Sequence, residues 1–372
     1  MIFDSLKNRI FTEANKLFHD GKVEVVIYPT YGFLQGSEWI IPSRGWVHQN
    51  RKLPDHLINE VAQLAIHCND GEISNFSSRF EDFSADSRSR QSVTIQFDSD
   101  NEQHTFQPSD LNGLIEMIVK LPVSKAESLL AQQNSGGRWL SFRVVSAGHF
   151  GAGRVHLIEP RGLSVVSDID DTIKVTEVPG DKDVVLKNTF CRDFVSISAM
   201  IERYRGLGSA AFHYVSGGPW QLYEPLAEFH FRAGFPVGTF HLNYFPKNFL
   251  SEDTRSLLID SICGSLGRTY DHKVEQITRL MQRFPEREFI LVGDSGELDV
   301  EVYRRMRELF GAQVREIWIR DVVNDDAANN FRFQGVDQII KPEKIVCPTQ
   351  EHYEKLAIII QREHQRPYAK PC

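Results

Sequence analysis

Several features that would place this chain in a special class are absent from its 372 residues. The five cysteines are scattered, odd in number and never spaced as C-x-x-C, so we expect neither a disulfide framework nor a thiolate zinc site. We therefore expect the protein to work in a reducing compartment. No apolar run approaches the roughly 20 residues of a membrane-spanning helix, and residues 1–7 lack the order of a signal peptide. These absences predict a cytoplasmic protein.

Positive charge is also in short supply. Lys and Arg total 42 against 50 Asp and Glu, and the net charge of −8 argues against nucleic acid as a partner. Three catalytic signatures are missing as well: a G-x-G-x-x-G dinucleotide loop, an H-x-x-x-H zinc pair among the 13 histidines, and a G-x-S-x-G serine hydrolase elbow. What remains is an ordinary globular composition, with 41% hydrophobic and 25% charged residues.

The hydrophobic pattern changes near residue 160, which divides the chain into two halves. We expect a β-rich, sandwich-like N-terminal domain over residues 1–160, an α/β domain over 161–345, and a C-terminal helix and tail over 346–372. The first 18 residues have the apolar spacing of an amphipathic helix, which either packs on its own domain or makes peripheral contact with a membrane surface. The N-terminal strands are predicted at 23–28, 38–41, 92–97 and 139–145, and helices at 54–67 and 108–121.

In the second half, short apolar runs alternate with amphipathic stretches, which is typical of parallel strands covered by helices. Ligands of such sheets bind beyond the carboxyl ends of the strands. The residues that follow each strand are therefore the candidates for function. The strands are predicted at 163–167, 210–215, 237–241, 289–292 and 314–319, and the helices at 196–204, 220–232, 254–262, 273–284 and 298–310.

The first of these strands is followed by Asp168-Ile169-Asp170-Asp171-Thr172, with three carboxylates in four positions. Asp168 and Asp170 are two residues apart and suit two oxygen ligands of one hard cation such as Mg²⁺, which would offset their repulsion. An Asx-rich turn that merely closes the strand explains the same residues about equally well. The motif alone does not decide between the two.

Three further segments add candidate site residues. Taken alone, residues 216–219 are explained about equally well by an ordinary strand-to-helix turn, and Lys273 is explained better as a solvated surface lysine. Ser216, Gly217, Gly218 and Pro219 follow the second strand, and we expect the glycines to permit close backbone approach to an anion at the start of a helix. Asp294 and Asp299 follow a later strand, and Asp294 is a candidate metal ligand. Lys273 is predicted at the start of a helix, where it needs a compensating anion.

The order Asp-x-Asp-x-Thr, Ser, Lys, Gly-Asp-x-x-x-x-Asp resembles the four motifs of the haloacid dehalogenase superfamily of phosphotransferases, whose Rossmann-like parallel sheet we therefore expect here. More specifically, the chain resembles the actin-patch-type phosphatidate phosphatase family over about residues 160–325. One departure is Gly217-Gly218-Pro219, where the family pattern suggests a more polar turn. The resemblance rests on segments 166–174, 214–222, 293–303 and 317–322, with a shorter one at 42–47.

The resemblance and the charges together imply roles for these residues. Asp168 is the nucleophile that forms an aspartyl phosphate, and Asp170 donates and accepts protons. Mg²⁺ is held by Asp168, the backbone carbonyl of Asp170, and Asp294. Ser216, Gly217, Gly218 and Lys273 bind the phosphoryl oxygens. Thr172 fixes the loop, and Asp299 orients Lys273 or the water around the metal, or is an acid favoured at a helix start.

The predicted activity is Mg²⁺-dependent hydrolysis of phosphatidate to diacylglycerol and phosphate. Two alternatives stay open: a phosphatase for a soluble phosphomonoester or a phosphoprotein, and a lipid- or protein-binding adaptor with a vestigial site.

Overall fold

The structure, a computed structural model, describes residues 22–50, 55–243, 262, 266–325 and 331–365. It is a mixed α/β protein with a β-rich N-terminal region and a second region built on a parallel sheet, as the sequence predicts. The predicted N-terminal amphipathic helix, nearly all of the helix at 254–262 and the end of the C-terminal tail lie outside the described residues. No helix within the described ranges is both long and apolar enough to cross a membrane.

The N-terminal region contains a ten-stranded sheet in the order β6-β5-β8-β10-β2-β3-β1-β9, with β4 and β7 also paired to β3. Residues from strands far apart in that order, such as Phe97 and Val119, share one buried apolar cluster, so the sheet surrounds a common core. The strands are β1 (Val23–Ile27), β2 (Thr30–Gln35), β3 (Glu38–Gln49), β4 (Asp86–Ser87), β5 (Thr94–Phe97), β6 (Gln103–Thr105), β7 (Leu114–Pro122), β8 (Trp139–Val144), β9 (His149–Phe150) and β10 (Ala152–Leu157). Its helices are α1 (Asp55–Ala65), α2 (Ile73–Ser84) and α3 (Val123–Gln132).

The predicted helix at 108–121 is wrong. Residues Leu114–Pro122 form β7, which pairs antiparallel along most of β3. Ile115, Val119 and Leu121 point into the core with the period of a strand, but Ile118 is exposed on the outer face and imitates a helical stripe. Gly113, with φ of +75°, makes the turn into the strand. The position requires glycine, because a Cβ there would lie 2.4 Å from the Val47 carbonyl oxygen.

The second region contains a six-stranded parallel sheet in the order β13-β12-β11-β14-β15-β16. Buried side chains on both faces pack against helices, which accounts for the nearly continuous apolar runs in the central strands. The strands are β11 (Gly162–Ser167), β12 (Ala211–Pro219), β13 (Gly238–Asn243), β14 (Arg287–Asp294), β15 (Val314–Arg320) and β16 (Gln338–Ile340). The helices are α4 (Lys182–Leu186), α5 (Ser198–Arg205), α6 (Tyr223–Ala233), α7 (Leu266–Arg283), α8 (Asp299–Phe310) and α9 (Gln350–Gln365).

The two regions share an apolar core. Tyr28 and Phe76 of the first region lie in one buried cluster with Val165 and Tyr214 of the second. Cys68 and Cys191 form a disulfide between the two regions, a pairing that the sequence does not indicate. Their 123-residue separation gives no signal in the sequence, because the pairing depends on how α1 and α2 dock on the second region.

Candidate functional site

Asp168 lies at the carboxyl edge of the parallel sheet, directly after β11. Its backbone N–H donates to the Val292 carbonyl at 2.9 Å, which continues the pairing with β14, and its side chain is 1% exposed. The preceding Ser167 donates through Oγ to the Asp168 carbonyl at 2.6 Å. The carboxylate is thus fixed at the central strand of the sheet, where the ends of the neighbouring strands converge.

Lys273 is the cation that faces this carboxylate. Its Nζ lies 2.8 Å from Asp168 Oδ1, 2.5 Å from Asp299 Oδ1 and 3.5 Å from Glu297 Oε2, and the side chain is buried. The predicted position at a helix start is wrong, because α7 begins at Leu266 and Lys273 lies within the helix. The anions that compensate its charge are carboxylates of the protein.

A buried acidic cluster stands beside this lysine. Asp168, Asp294 and Glu297 each offer one oxygen, and the three oxygens lie within 4.8 Å of one another. Asp294 Oδ1 accepts a hydrogen bond from the Gly296 N–H at 2.6 Å, whereas its buried Oδ2 has no hydrogen-bond partner among the described residues. A buried carboxylate oxygen without a partner is costly, and an all-oxygen donor set is what Mg²⁺ prefers. These residues fit a divalent cation.

The sequence interpretation missed Glu297. It follows the predicted ligand Asp294 by three residues, and the intervening loop turns its carboxylate back towards the cluster. Asp299 is not part of that cluster; its Oδ1 contacts Lys273, and its Oδ2 accepts from the Asp294 N–H at 3.2 Å. A glutamate in a loop has no fixed direction in sequence, so only its acidity near Asp294 could have suggested the role.

Burial and like charge act in the same direction on the cluster. Burial raises the pKa of Asp168 well above its usual value despite the opposing charge of Lys273, and the charges of Asp299 and Glu297 raise it further. Burial and the neighbouring carboxylates likewise raise the pKa of Asp294 well above normal and that of Glu297 to about 7. A bound divalent cation would favour the ionised forms of all three.

Asp170 has different surroundings. Its Oδ1 forms an ion pair with Lys174 Nζ at 2.8 Å and accepts from Thr176 Oγ1 at 2.6 Å. Its Oδ2 accepts from Ser216 Oγ at 3.3 Å. Burial acts to raise the pKa of Asp170, but the Lys174 ammonium, the hydrogen bond from Thr176 and the charge of Lys273 together more than offset it, so the pKa is below normal. The side chain of Asp170 therefore lies outside the acidic cluster of Asp168, Asp294 and Glu297 and is not one of the carboxylates that could bind a cation there.

The turn after β12 differs from the sequence interpretation. β12 stays extended through Pro219, so residues 216–219 lie within the strand and do not follow it, and the helix predicted at 220–232 begins with a 3₁₀ turn over Trp220–Leu222 before α6. The Gly218 N–H donates to Ser216 Oγ at 3.0 Å, which folds the serine hydroxyl back over the strand end beside Asp170. A Cβ on Gly217 would lie 2.7 Å from Thr269 Cγ2, so the strand and α7 approach closely here. Ser216, Gly217 and Gly218 therefore line the same edge as Asp170.

Asp171, not Thr172, holds the loop that follows the acidic motif. The Asp171 carboxylate accepts from the backbone N–H groups of residues 176, 177 and 178 at 2.7–2.9 Å. The hydroxyl of Thr172 is buried and has no hydrogen-bond partner in the described part of the chain. Three hydrogen bonds to one carboxylate also explain how Asp171 keeps a left-handed φ of +55°.

Fold and site together define a parallel α/β protein with a buried acidic cluster and a paired lysine at the carboxyl edge of its sheet. Residues 163–321 match the family described as the catalytic domain of phosphatidate phosphatase APP1. The match confirms, for this segment, the resemblance to that family seen in the sequence.

Two curated relatives each match a little under half of the chain. Phosphatidate phosphatase APP1 of Saccharomyces cerevisiae is 35% identical over 168 residues, which is 44% of this chain and 26% of that protein. An uncharacterised protein of Schizosaccharomyces pombe is 28% identical over 176 residues, 46% of this chain and 27% of its own length. The match therefore spans about a quarter of each relative. Among solved structures, a carbohydrate esterase aligns over 92% of this chain and 97% of its own at 11% identity, but a TM-score of 0.20 carries no argument about fold.

Proposed function

We propose that the chain is a Mg²⁺-dependent phosphatidate phosphatase with a haloacid dehalogenase-type catalytic domain. One observation carries the proposal: Asp168, Lys273 and the Asp294–Glu297 pair meet, buried, at the carboxyl edge of the sheet, within the segment that matches the APP1 catalytic family. The yeast relative is named as a phosphatidate phosphatase, which supports the lipid substrate.

In the first half-reaction, Asp168 Oδ attacks the phosphorus atom of the ester in line. A new P–O bond to Asp168 forms as the P–O bond to the diacylglycerol oxygen breaks, which leaves an aspartyl phosphate and an alkoxide. Asp170 gives the alkoxide its proton. The paired Lys174 favours the ionised form of Asp170 at rest, so Asp170 must first take a proton from solvent, which the negative charge of the bound phosphate favours by raising the pKa of the carboxylate.

In the second half-reaction, Asp170 is again ionised and accepts a proton from water. The water oxygen bonds to phosphorus, the P–O bond to Asp168 breaks, and inorganic phosphate and free Asp168 carboxylate are released. The lowered pKa of Asp170 suits this step, because the carboxylate must be in its basic form when the water attacks.

The remaining residues bind and orient. Asp168, Asp294, the backbone carbonyl of Asp170 and, from the geometry, Glu297 would hold Mg²⁺. When bound, the cation supplies positive charge that stabilises the transferring phosphoryl group. Lys273 and Ser216, with the backbone N–H groups of Gly217 and Gly218, would donate to the other phosphoryl oxygens; the nearness of Lys273 to Asp168 and of Ser216 to Asp170 supports these roles.

The test compares phosphate release from phosphatidate in mixed micelles with release from a panel of water-soluble phosphomonoesters. Asp168→Asn removes the nucleophile, and Asp98→Asn, which changes a surface carboxylate paired with Arg143, is the matched control. We expect Mg²⁺-dependent release from phosphatidate by the wild type and the control only.

The other results separate the alternatives. Turnover of soluble esters alone would refute the lipid substrate and favour the soluble phosphatase. A folded protein that releases no phosphate from any ester would refute the enzyme and favour the adaptor. Liposome flotation of the full chain tests the peripheral membrane contact that a lipid substrate requires.

A further inference from the structure

The loop that carries the acidic cluster is held by side chains from the last part of the chain. Three consecutive carbonyls, those of Ser295, Gly296 and Glu297, each accept a hydrogen bond from this part. Arg332 donates through Nη1 to the Ser295 oxygen at 2.6 Å and through Nη2 to the Glu297 oxygen at 2.5 Å. His352 of α9 donates through Nε2 to the Gly296 oxygen at 2.7 Å.

Arg332 uses its whole guanidinium group in this position. Besides the two carbonyls, Nε and Nη2 donate to the two carboxylate oxygens of Glu301 at 2.9 and 3.0 Å, and Nη1 donates to Asp325 Oδ2 at 2.6 Å. All five N–H donors thus have an acceptor, and the residue is 2% exposed. Only the planar fork of arginine can satisfy this set, because lysine has three donors at one point.

The carbonyls that Arg332 holds lie on either side of Gly296, whose N–H donates to Asp294 Oδ1. A shift of this loop would therefore move the hydrogen bond that orients Asp294 and the backbone that carries Glu297. A Cβ on Gly296 would lie 2.4 Å from Pro179 Cγ and 2.9 Å from Asp294 Oδ1, so the loop has little room on its other side. The loop is therefore held on one side by the hydrogen bonds from Arg332 and confined on the other by Pro179 and Asp294.

We propose that Arg332, assisted by His352, is a positioning residue that sets the spacing of Asp294 and Glu297 for a divalent cation. Both residues lie beyond the 163–321 segment that matches the family, so the C-terminal part of this chain completes the site. The inference rests on the proposed function for the identity of the cation, Mg²⁺. It concerns the binding of the cation and does not depend on which phosphate ester the protein hydrolyses.

The test measures Mg²⁺ binding by isothermal titration calorimetry to the full chain and to two matched variants. Arg332→Lys removes the fork. Arg287→Lys is the control, since Arg287 is a buried arginine at the opposite end of β14 that donates to Ser164 Oγ and to the carbonyls of Glu159, Arg161 and Leu163.

We expect Arg332→Lys to weaken Mg²⁺ binding by about tenfold or more, the usual size of effect when a group that orients a metal ligand is lost. Arg287→Lys should bind Mg²⁺ as the wild type does, although both variants lose thermal stability. His352→Phe, a change on a half-buried helix face, should weaken Mg²⁺ binding in the same direction and covers the case in which Arg332→Lys fails to fold. With phosphatidate, kcat should fall more than KM rises.

Wild-type Mg²⁺ affinity in a folded Arg332→Lys or, if that variant does not fold, in His352→Phe would overturn the proposal. Equal weakening in Arg332→Lys and Arg287→Lys would also overturn it, because the effect would then follow general stability. The two proposals can also fail separately. If the wild type binds Mg²⁺ but hydrolyses no ester, and Arg332→Lys still weakens Mg²⁺ binding, the proposed function is refuted and this inference is supported.

Discussion

Replacing Lys273 with methionine tests the charge balance of the site most severely. The substitution keeps the length and apolar stem of the side chain but removes the ammonium that lies 2.8 Å from Asp168, 2.5 Å from Asp299 and 3.5 Å from Glu297. Lys273 is buried, and although burial acts to lower its pKa, these carboxylates raise it well above normal, so the lysine is charged.

Removal of one partner from a buried ion pair typically costs about 3–5 kcal/mol, because the other charge is left buried and unpaired. Here more than one carboxylate loses its partner, so we expect a loss at the upper part of that range at pH 8. The loss should be smaller at pH 5, because the unpaired carboxylates then bind protons and become neutral.

The assay is urea unfolding followed by circular dichroism, in buffer with a chelator, at both pH values. Lys125→Met is the control, because Lys125 also lies between two carboxylates, those of Asp100 and Glu102, but is more than a quarter exposed. Exposed pairs contribute about 0–1 kcal/mol. If the two variants lose the same free energy of unfolding, or if the loss in Lys273→Met does not depend on pH, the account of a buried, charge-balanced cluster is wrong.

Three further predictions concern single residues. Asp168→Asn should lower phosphate release by at least about a thousandfold with an unchanged far-UV spectrum, and retained turnover would remove Asp168 from the nucleophile role. Gly293→Ala should lower the free energy of unfolding by about 1–3 kcal/mol, since the new Cβ would lie 2.2 Å from Asp299 Oδ2. An unchanged melting temperature would contradict this, because it would mean that Asp299 can move away without cost. Burial lowers the pKa of His230 from 6.5 to about 3, so this group contributes stability that is present above pH 6.5 and lost as pH falls. The free energy of unfolding of His230→Phe, measured by urea titration, should therefore rise relative to that of the wild type by up to about 1.4 kcal/mol for each pH unit below 6.5. A difference in free energy that does not change with pH would contradict this prediction.

The sequence predicts the parallel sheet well because its strands are buried on both faces. Continuous apolar runs mark β11, β12, β14 and β15 within a few residues of their observed ends, and the acidic motifs lie at the ends of β11 and β14. Since parallel strands end at one edge, the meeting of Asp168 and Asp294 follows from strand order, whereas Lys273 reaches them from within α7.

What the sequence could not predict depends on long-range packing or on loop direction. β7 carries an exposed isoleucine that breaks the alternation of a strand, and only its pairing with β3 reveals the true period. The direction of Glu297 is set by Arg332, which lies 35 residues later and has no recognisable motif. The Cys68–Cys191 disulfide likewise joins positions that only the docking of α1 and α2 brings together.

Chemical trapping at position 168 tests the central claim most directly. The protein is mixed briefly with phosphatidate and Mg²⁺, quenched, and reduced with borohydride, which converts an acyl phosphate on aspartate into homoserine that peptide mass spectrometry can locate. We predict homoserine at position 168, dependent on both Mg²⁺ and substrate and absent from Asp168→Asn. Rapid phosphatidate hydrolysis with no modification at position 168 under any quench time, or with the modification on another carboxylate, would contradict the account.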